Sequence, residues 1–168
     1  MRKNGSVYVS IVLAVLVGYF SYQWWFNPRR AIKRQLGELA ATLSLPPEEV
    51  SEIDRLARLA RLRHYFSPDV QITTGRSGAS INSRDALIGA VAAWKAPAGG
   101  WNVTFVDVQI RMDSETTASA YMTAEITGQD PRTGAPSLDA REVTVRLAKQ
   151  DDAWVVTTAE PTETLQRP

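Results

Sequence analysis

Apolar residues recur along this chain with two different periods, and the change of period separates a helical first part from a β-rich second part. Ile32, Leu36, Leu39 and Leu43 fall on one helical stripe. Asn27-Pro28 starts this helix, since proline suits a first turn, and Ser44-Leu45-Pro46-Pro47 breaks it. Glu48, Glu49 and Glu52 open a second helix, where carboxylates favour the positive end of the dipole. Ile53, Leu56, Ala57, Leu59 and Ala60 form its apolar face, and Arg55, Arg58, Arg61 and Arg63 follow towards its end. Val70 to Thr74 reads as a short strand and the stretch RSGASINS as a loop. Asn82-Ser83 caps a third helix, in which Leu87, Val91 and Trp94 share a stripe.

From Trp101 onward the period is two. Val106, Val108, Ile110 and Met112 alternate with Asp107, Gln109 and Arg111. Ala118, Ala120, Met122, Ala124 and Ile126 alternate with Thr117, Ser119, Tyr121, Thr123 and Glu125. After a hairpin connection over residues 128–137, Val143, Val145 and Leu147 alternate with Glu142, Thr144 and Arg146. Asp151-Asp152 makes a tight turn into the last strand, Trp154 to Thr158. Helices followed by an antiparallel meander predict an α+β fold.

One segment fits neither period. The run VYVSIVLAVLVGYFSYQWWF, Val7 to Phe26, carries no charge over 20 residues. As a helix it would cover roughly 30 Å, the hydrocarbon thickness of a bilayer. Trp24 and Trp25 at its end resemble an interfacial belt, and Arg29, Arg30, Lys33 and Arg34 follow where anionic headgroups would lie. A cleavable signal peptide competes with this reading, because Arg2 and Lys3 form a basic start. Around Gly18-Tyr19-Phe20-Ser21-Tyr22, however, no pair of small residues avoids a bulky aromatic. The expectation is an uncleaved transmembrane anchor in an inner or plasma membrane, with the bilayer as a partner. Positive charge balances on the two flanks, so the positive-inside rule selects no orientation. The short polar head has the form of a signal-anchor, which places the following domain outside the cytoplasm. The expected map is a basic tail at 1–6, the anchor at 7–26, one domain at 27–160 and a tail at 161–168.

Composition narrows the chemistry. The chain has 168 residues, net charge +1, one histidine and no cysteine. So small a charge predicts no nucleic-acid partner, and the ligand set for zinc is missing. Gly75-Arg76-Ser77-Gly78 lacks the lysine and the strand-to-helix context of a phosphate loop, so no cofactor is expected. Arg55, Arg58 and Arg61 read as a solvated helix face, with Asp54 spaced to pair with Arg58. His64 lies at the end of the stripe Ile53, Ala57, Ala60, His64, which places it on the apolar side of the second helix. There it either lines a pocket or acts as a base. A base needs an orienting acid, and no acid occupies the neighbouring helical positions.

The element order resembles the nuclear transport factor 2-like superfamily, which includes SnoaL-like cyclases and ketosteroid isomerases. The matching pieces are a helix ending HYFSPDVQI, the short helix SRDALIGAVAAW and four strands ending DDAWVVTTAE, over roughly residues 29 to 160. The resemblance implies a cone of three helices on a curled, mainly antiparallel sheet. Its apolar cavity would be lined by Leu59, His64, Phe66, Trp94, Val108, Met122 and Val145. Isomerase-like members carry an acidic base in the early strand. Here Val70 to Thr74 has none, and Asp69 precedes it. Asp107, Arg111 and Glu125 could mimic the acid-arginine-acid set of epoxide-opening relatives, but a solvated sheet face explains them better. The expected function is a non-catalytic domain that binds a protein partner or copies of itself, through a sheet face bearing Phe105 and Tyr121. The alternatives are a carrier or sensor of a small apolar ligand, and a lyase or isomerase using His64 and Tyr65.

Overall fold

The computed structural model describes residues 12–17, 27–46, 51–74, 79–93, 99–130 and 133–162. Its helices are α1 (Pro28–Leu43), α2 (Glu52–Leu62) and α3 (Arg84–Ala93), with a 3-10 turn at Arg63–Tyr65, and residues 12–17 are helical as well. The strands are β1 (Phe66–Thr74), β2 (Ala79–Ile81), β3 (Trp101–Met112), β4 (Thr117–Gln129), β5 (Pro136–Gln150) and β6 (Ala153–Pro161). Asn27 caps α1 by accepting the Arg29 amide at 3.1 Å, with Pro28 in the first turn. Ser51 caps α2 in the same way, accepting from Asp54 at 3.2 Å. Ser83 does so for α3, accepting from Ala86 at 3.2 Å. Each cap satisfies an amide that the helix start leaves without an intrahelical acceptor.

The six strands form one mixed sheet in the order β2-β1-β6-β5-β4-β3. Among the described residues only the β1–β6 pairing is parallel. The Asp151-Asp152 turn joins β5 to β6 with φ of 47° and 65°, the doubly positive geometry that matches strand twist in two-residue hairpins. Helix α1 lies across the inner face. Ile32, Leu36 and Leu39 meet Ala118, Ala120 and Met122 of β4 and Val145 and Leu147 of β5, all buried. Leu62, Phe66, Val70, Trp154 and Val156 close the same core. The Gln35 side chain also donates to the Trp154 carbonyl, which ties α1 to β6.

Three expectations change. The loop after β1 contains a strand, β2, whose Ser80 and Ile81 pair with Thr73 and Ile72. Strand β1 itself begins at Phe66, with an irregular register between Phe66 and Gln71 that accommodates Pro68. In β3, Asp107 adopts φ 53° and the ladder to β4 shifts between Val106 and Gln109. Asp107 and Val108 together oppose the single residue Met122, which is a β-bulge. The bulge turns Phe105 and Val108 inward and leaves Val106 on the outer face. Phe105 pairs with Ala124 on the inner side, whereas Tyr121 pairs with Gln109 on the outer side. The two aromatics therefore do not share a sheet face.

The membrane reading is overturned. Among the described residues no helix is long and apolar enough to cross a membrane. Of the run 7–26 only residues 12–17 are described, and the rest, Trp24 and Trp25 included, lies outside the described residues. The single-pass location falls with it, and the bilayer partner is left without support. The side chains of Arg29, Arg30, Lys33 and Arg34 are exposed on α1, where Arg34 lies 3.9 Å from Glu38.

Candidate functional site

A half-open cleft of about 440 Å³ separates α1 from the first half of β3. Its walls include Lys33, Gly37 and Ala41 from the helix, Ser44 from its C-cap, and Phe105 and Val108 from the strand. Gly37, Ala40, Ala41 and Ser44 follow helical spacing, so α1 turns small side chains towards β3 and leaves the space unfilled. A Cβ on Gly37 would meet nothing within 4 Å. One end of the cleft is pinned. Leu45 and Trp101 exchange backbone hydrogen bonds at 2.8 and 3.0 Å, and the Trp101 indole donates to the Leu43 carbonyl at 2.7 Å. Ser44 Oγ accepts the Val103 amide at 2.9 Å and donates to the Ala40 carbonyl at 2.9 Å. Gly100 makes this approach possible, because its φ is +68° and a Cβ there would collide with the Leu45 carbonyl oxygen.

Of the described side chains expected around a cone cavity, only Val108 borders this cleft. Phe66, Met122 and Val145 are buried in the packed core, and Leu59 is half-buried against it. Trp94 lies outside the described residues. His64 is exposed in the 3-10 turn, and so are Ala57 and Ala60. Ile53 is 78% exposed and Leu56 59%, while Leu62 is 1% exposed. The stripe that ends in His64 is thus the outer face of α2, and the inward contacts run through Leu59 and Leu62. Tyr65 is half-buried against the core and does not reach the cleft. The residues that sequence reasoning missed are Gly37, Ala41 and Ser44. Their signal was a row of small side chains on a helix that otherwise presents large ones to the sheet.

Polar groups gather at the junction of α2, α3 and β1. Arg63 pairs with Asp85, and Arg84 Nη1 lies 3.5 and 3.4 Å from the carbonyls of Arg63 and Phe66. Arg84 Nε is buried without a hydrogen-bond partner. Arg55 donates to the Ala92 carbonyl, where a cation favours the negative end of α3. Ser67 is fully buried; it donates to Asp69 and accepts from Gln150 at 3.2 Å. The Ser67 hydroxyl, and then the aspartate's own amide, hold the Asp69 carboxyl below its ordinary value. Arg111 lies 3.8 Å from Asp113, and Asp107 is exposed at the bulge. Among the described residues no group of three or more acidic or histidine side chains could hold a metal ion.

A curled sheet wrapped over α1, with a parallel closing pair, defines the cone-like α+β class of nuclear transport factor 2-like proteins. Within it, the SnoaL-like domain family matches residues 49–159, and the chain belongs to that family. Among curated proteins none matches the sequence. Solved structures do. A nuclear transport factor 2-like protein with a cystatin-like fold from Novosphingobium aromaticivorans superposes with a TM-score of 0.66 at 12% identity, over 87% of this chain and 88% of that one. The CaMKII hub homology domain of Chlamydomonas reinhardtii gives 0.63 at 14% identity, over 80% and 96%. The association domain of C. elegans CaMKII gives 0.61 at 11%, over 80% and 95%. Identities this low establish the fold alone.

Proposed function

We propose that this SnoaL-like domain acts by binding and assembly, as a non-catalytic module that associates with a protein partner or with copies of itself. The observation that carries this reading is the filled interior. Phe66, Met122, Val145, Leu36 and Leu62 are packed where a reaction chamber would be, and they offer no group that moves a proton. The lone histidine faces solvent, with no shelter from water around it. A cone filled with side chains is a rigid support, and what it presents is its surface. Likeness to domains named for association and for a hub agrees with this reading. Sedimentation velocity of the full chain over a range of concentrations is the test, with concentration-dependent association expected. A chain that stays monomeric throughout, and binds no partner, would remove the proposal.

The α1–β3 cleft favours a second reading, a carrier or sensor of a small apolar ligand. Its volume lies within the usual range for small-molecule pockets, roughly 300–1,000 Å³. An apolar wall beside Lys33 and Ser44 would suit a ligand with one polar end. Gly37→Leu would fill the space that glycine leaves open. On this reading it abolishes binding of an apolar fluorescent probe without lowering stability; unchanged probe binding would exclude the cleft.

A further inference from the structure

We propose that the outer face of α2 is the docking surface for a protein partner, and that this partner presents an acidic amphipathic helix. This rests on the assembly reading above and specifies where a partner sits and what chemistry it brings. Two parallel rows run along the face. Ile53, Ala57, Ala60 and His64 follow helical spacing, and all four are exposed. Asp54, Arg58 and Arg61 repeat that spacing one position further on. Leu56, 59% exposed, borders the apolar row on its other side. The core makes no use of the apolar row, because the inward contacts of α2 run through Leu59 and Leu62.

The charged row is out of balance. Elsewhere on α2 the charges are matched: Glu52 lies 3.8 Å from Arg55, and Arg55 also donates to the Ala92 carbonyl. In the turn that follows, Arg63 pairs with Asp85. Asp54 stands one turn before Arg58, yet its carboxylate accepts from the Ser51 hydroxyl at 2.7 Å. Among the described residues neither Arg58 nor Arg61 forms an ion pair, and Arg61 reaches back to the Ala57 carbonyl of its own helix at 3.5 Å. Arg58 is half-buried. That burial, and then the Arg61 cation, lower its guanidinium from the ordinary value, and Asp54 offsets this in part. Two neighbouring cations, one of them partly desolvated, favour a carboxylate supplied from outside. Exposed apolar side chains mark interaction sites when they cluster, and arginine is enriched there. From Ile53 to His64 the row is roughly 16 Å long, about three turns of helix. A partner helix lying along it needs apolar side chains at i, i+4 and i+7, with acidic ones on the flank towards Arg58 and Arg61. A carboxylate opposite Asp54 would be repelled, so the acids belong to the turns beside the arginines. An anionic lipid surface has no such spacing. It sets charge against Asp54 as well, and Ala57 and Ala60 offer it little to insert.

Fluorescence anisotropy with the full chain is the test. The probe is a synthetic amphipathic helix of about 18 residues, with leucines along one face and glutamates on one flank. Its control carries lysines in place of the glutamates. The glutamate peptide should bind at least about tenfold more tightly than the control. Arg58→Glu combined with Arg61→Glu should reverse that preference, and Arg58→Gln combined with Arg61→Gln should level it. Ile53→Asp should weaken binding of the glutamate peptide about tenfold or more. Leu138→Asp, at an exposed apolar residue of β5, should change nothing. Circular dichroism melts confirm that each variant is folded. Glutamate-peptide binding that ignores the substitutions on α2 places the contact elsewhere and overturns the proposal. Co-sedimentation with phosphatidylglycerol vesicles that Ile53→Asp abolishes would also overturn it, since the face would then belong to lipid. Absence of peptide binding by a chain that still self-associates overturns the docking face and leaves assembly standing. Absence of binding by a chain that stays monomeric overturns both.

Discussion

Replacing Gly100 by alanine tests the closure of α1 onto β3 more directly than any core truncation. Two costs are separable. Alanine at φ +68° sacrifices about 1–2 kcal/mol, the usual penalty for an L-residue in left-handed backbone. The new Cβ also lies 2.8 Å from the carbonyl carbon of Pro46 and still closer to the Leu45 oxygen. Both are backbone atoms, so residues 45 and 46 must move as a unit. That movement loosens the paired Leu45–Trp101 hydrogen bonds, each worth about 1 kcal/mol net. The expected total is about 3–4 kcal/mol, or roughly a 10 °C fall in melting temperature for a domain of this size. Gly134→Ala is the matched control: φ there is +69° and nothing lies within 4 Å, so only the first cost applies. Urea unfolding followed by far-ultraviolet circular dichroism gives both differences. If Gly100→Ala is no worse than Gly134→Ala, the close approach of residues 45 and 46 to Gly100 does not exist and the reasoning fails.

Further outcomes follow from burial and charge. Leu62→Ala should cost about 2–5 kcal/mol, whereas Leu56→Ala, on the exposed face of α2, should stay within about 0.5 kcal/mol; similar losses at both would mean that α2 is rotated. His64→Gln should leave stability and the cellular role intact, and a null phenotype with normal protein level and melting would restore the catalytic reading. The Asp69 carboxyl is held below its ordinary value near 3.8, so its stabilising contribution is complete above that value and fades as pH falls through the lower folded one. Ser67→Ala should therefore flatten the acid limb of a stability–pH profile as well as strand the Gln150 amide; an unchanged acid limb would count against the Ser67–Asp69 hydrogen bond.

Much of this fold is legible in local signals. Pro28 and the Ser44-to-Pro47 break bound α1 because both act on backbone geometry, whatever the neighbours do. The alternation in β4 and β5 is equally direct, since inward Ala118, Ala120, Met122 and Val145 need an apolar face wherever the sheet lies. The β3 bulge is different. Val106, Val108, Ile110 and Met112 alternate without a break, and an aspartate gives little warning of φ 53°. The curl of the whole sheet decides that residue. Helix α2 offers two apolar sides, and sequence periodicity favoured the one with more members. The choice went to Leu59 and Leu62 because the core beside Phe66 receives the end of the helix. The cleft was hidden for another reason: it is made by what Gly37 and Ala41 lack, and their row of small side chains is outweighed in an apolar pattern read from large ones.

The lone parallel pairing has a consequence during synthesis. A ribosome releases β1 long before β6, yet Phe66 finds its ladder partner only in Val156, at the far end of the domain. Until then β1 has only the short β2 beside it, on its other edge. A nascent chain in that condition exposes a strand ready to pair with a neighbour's. Pro68 and Asp69 sit in that waiting strand, one lacking an amide donor and the other charged, as in edges that resist wrong partners. The domain is therefore fastened late. A message truncated before the codons for β6 would yield a product with α1, β1 and β5 each missing a neighbour, and quality control would meet it as one defect rather than three.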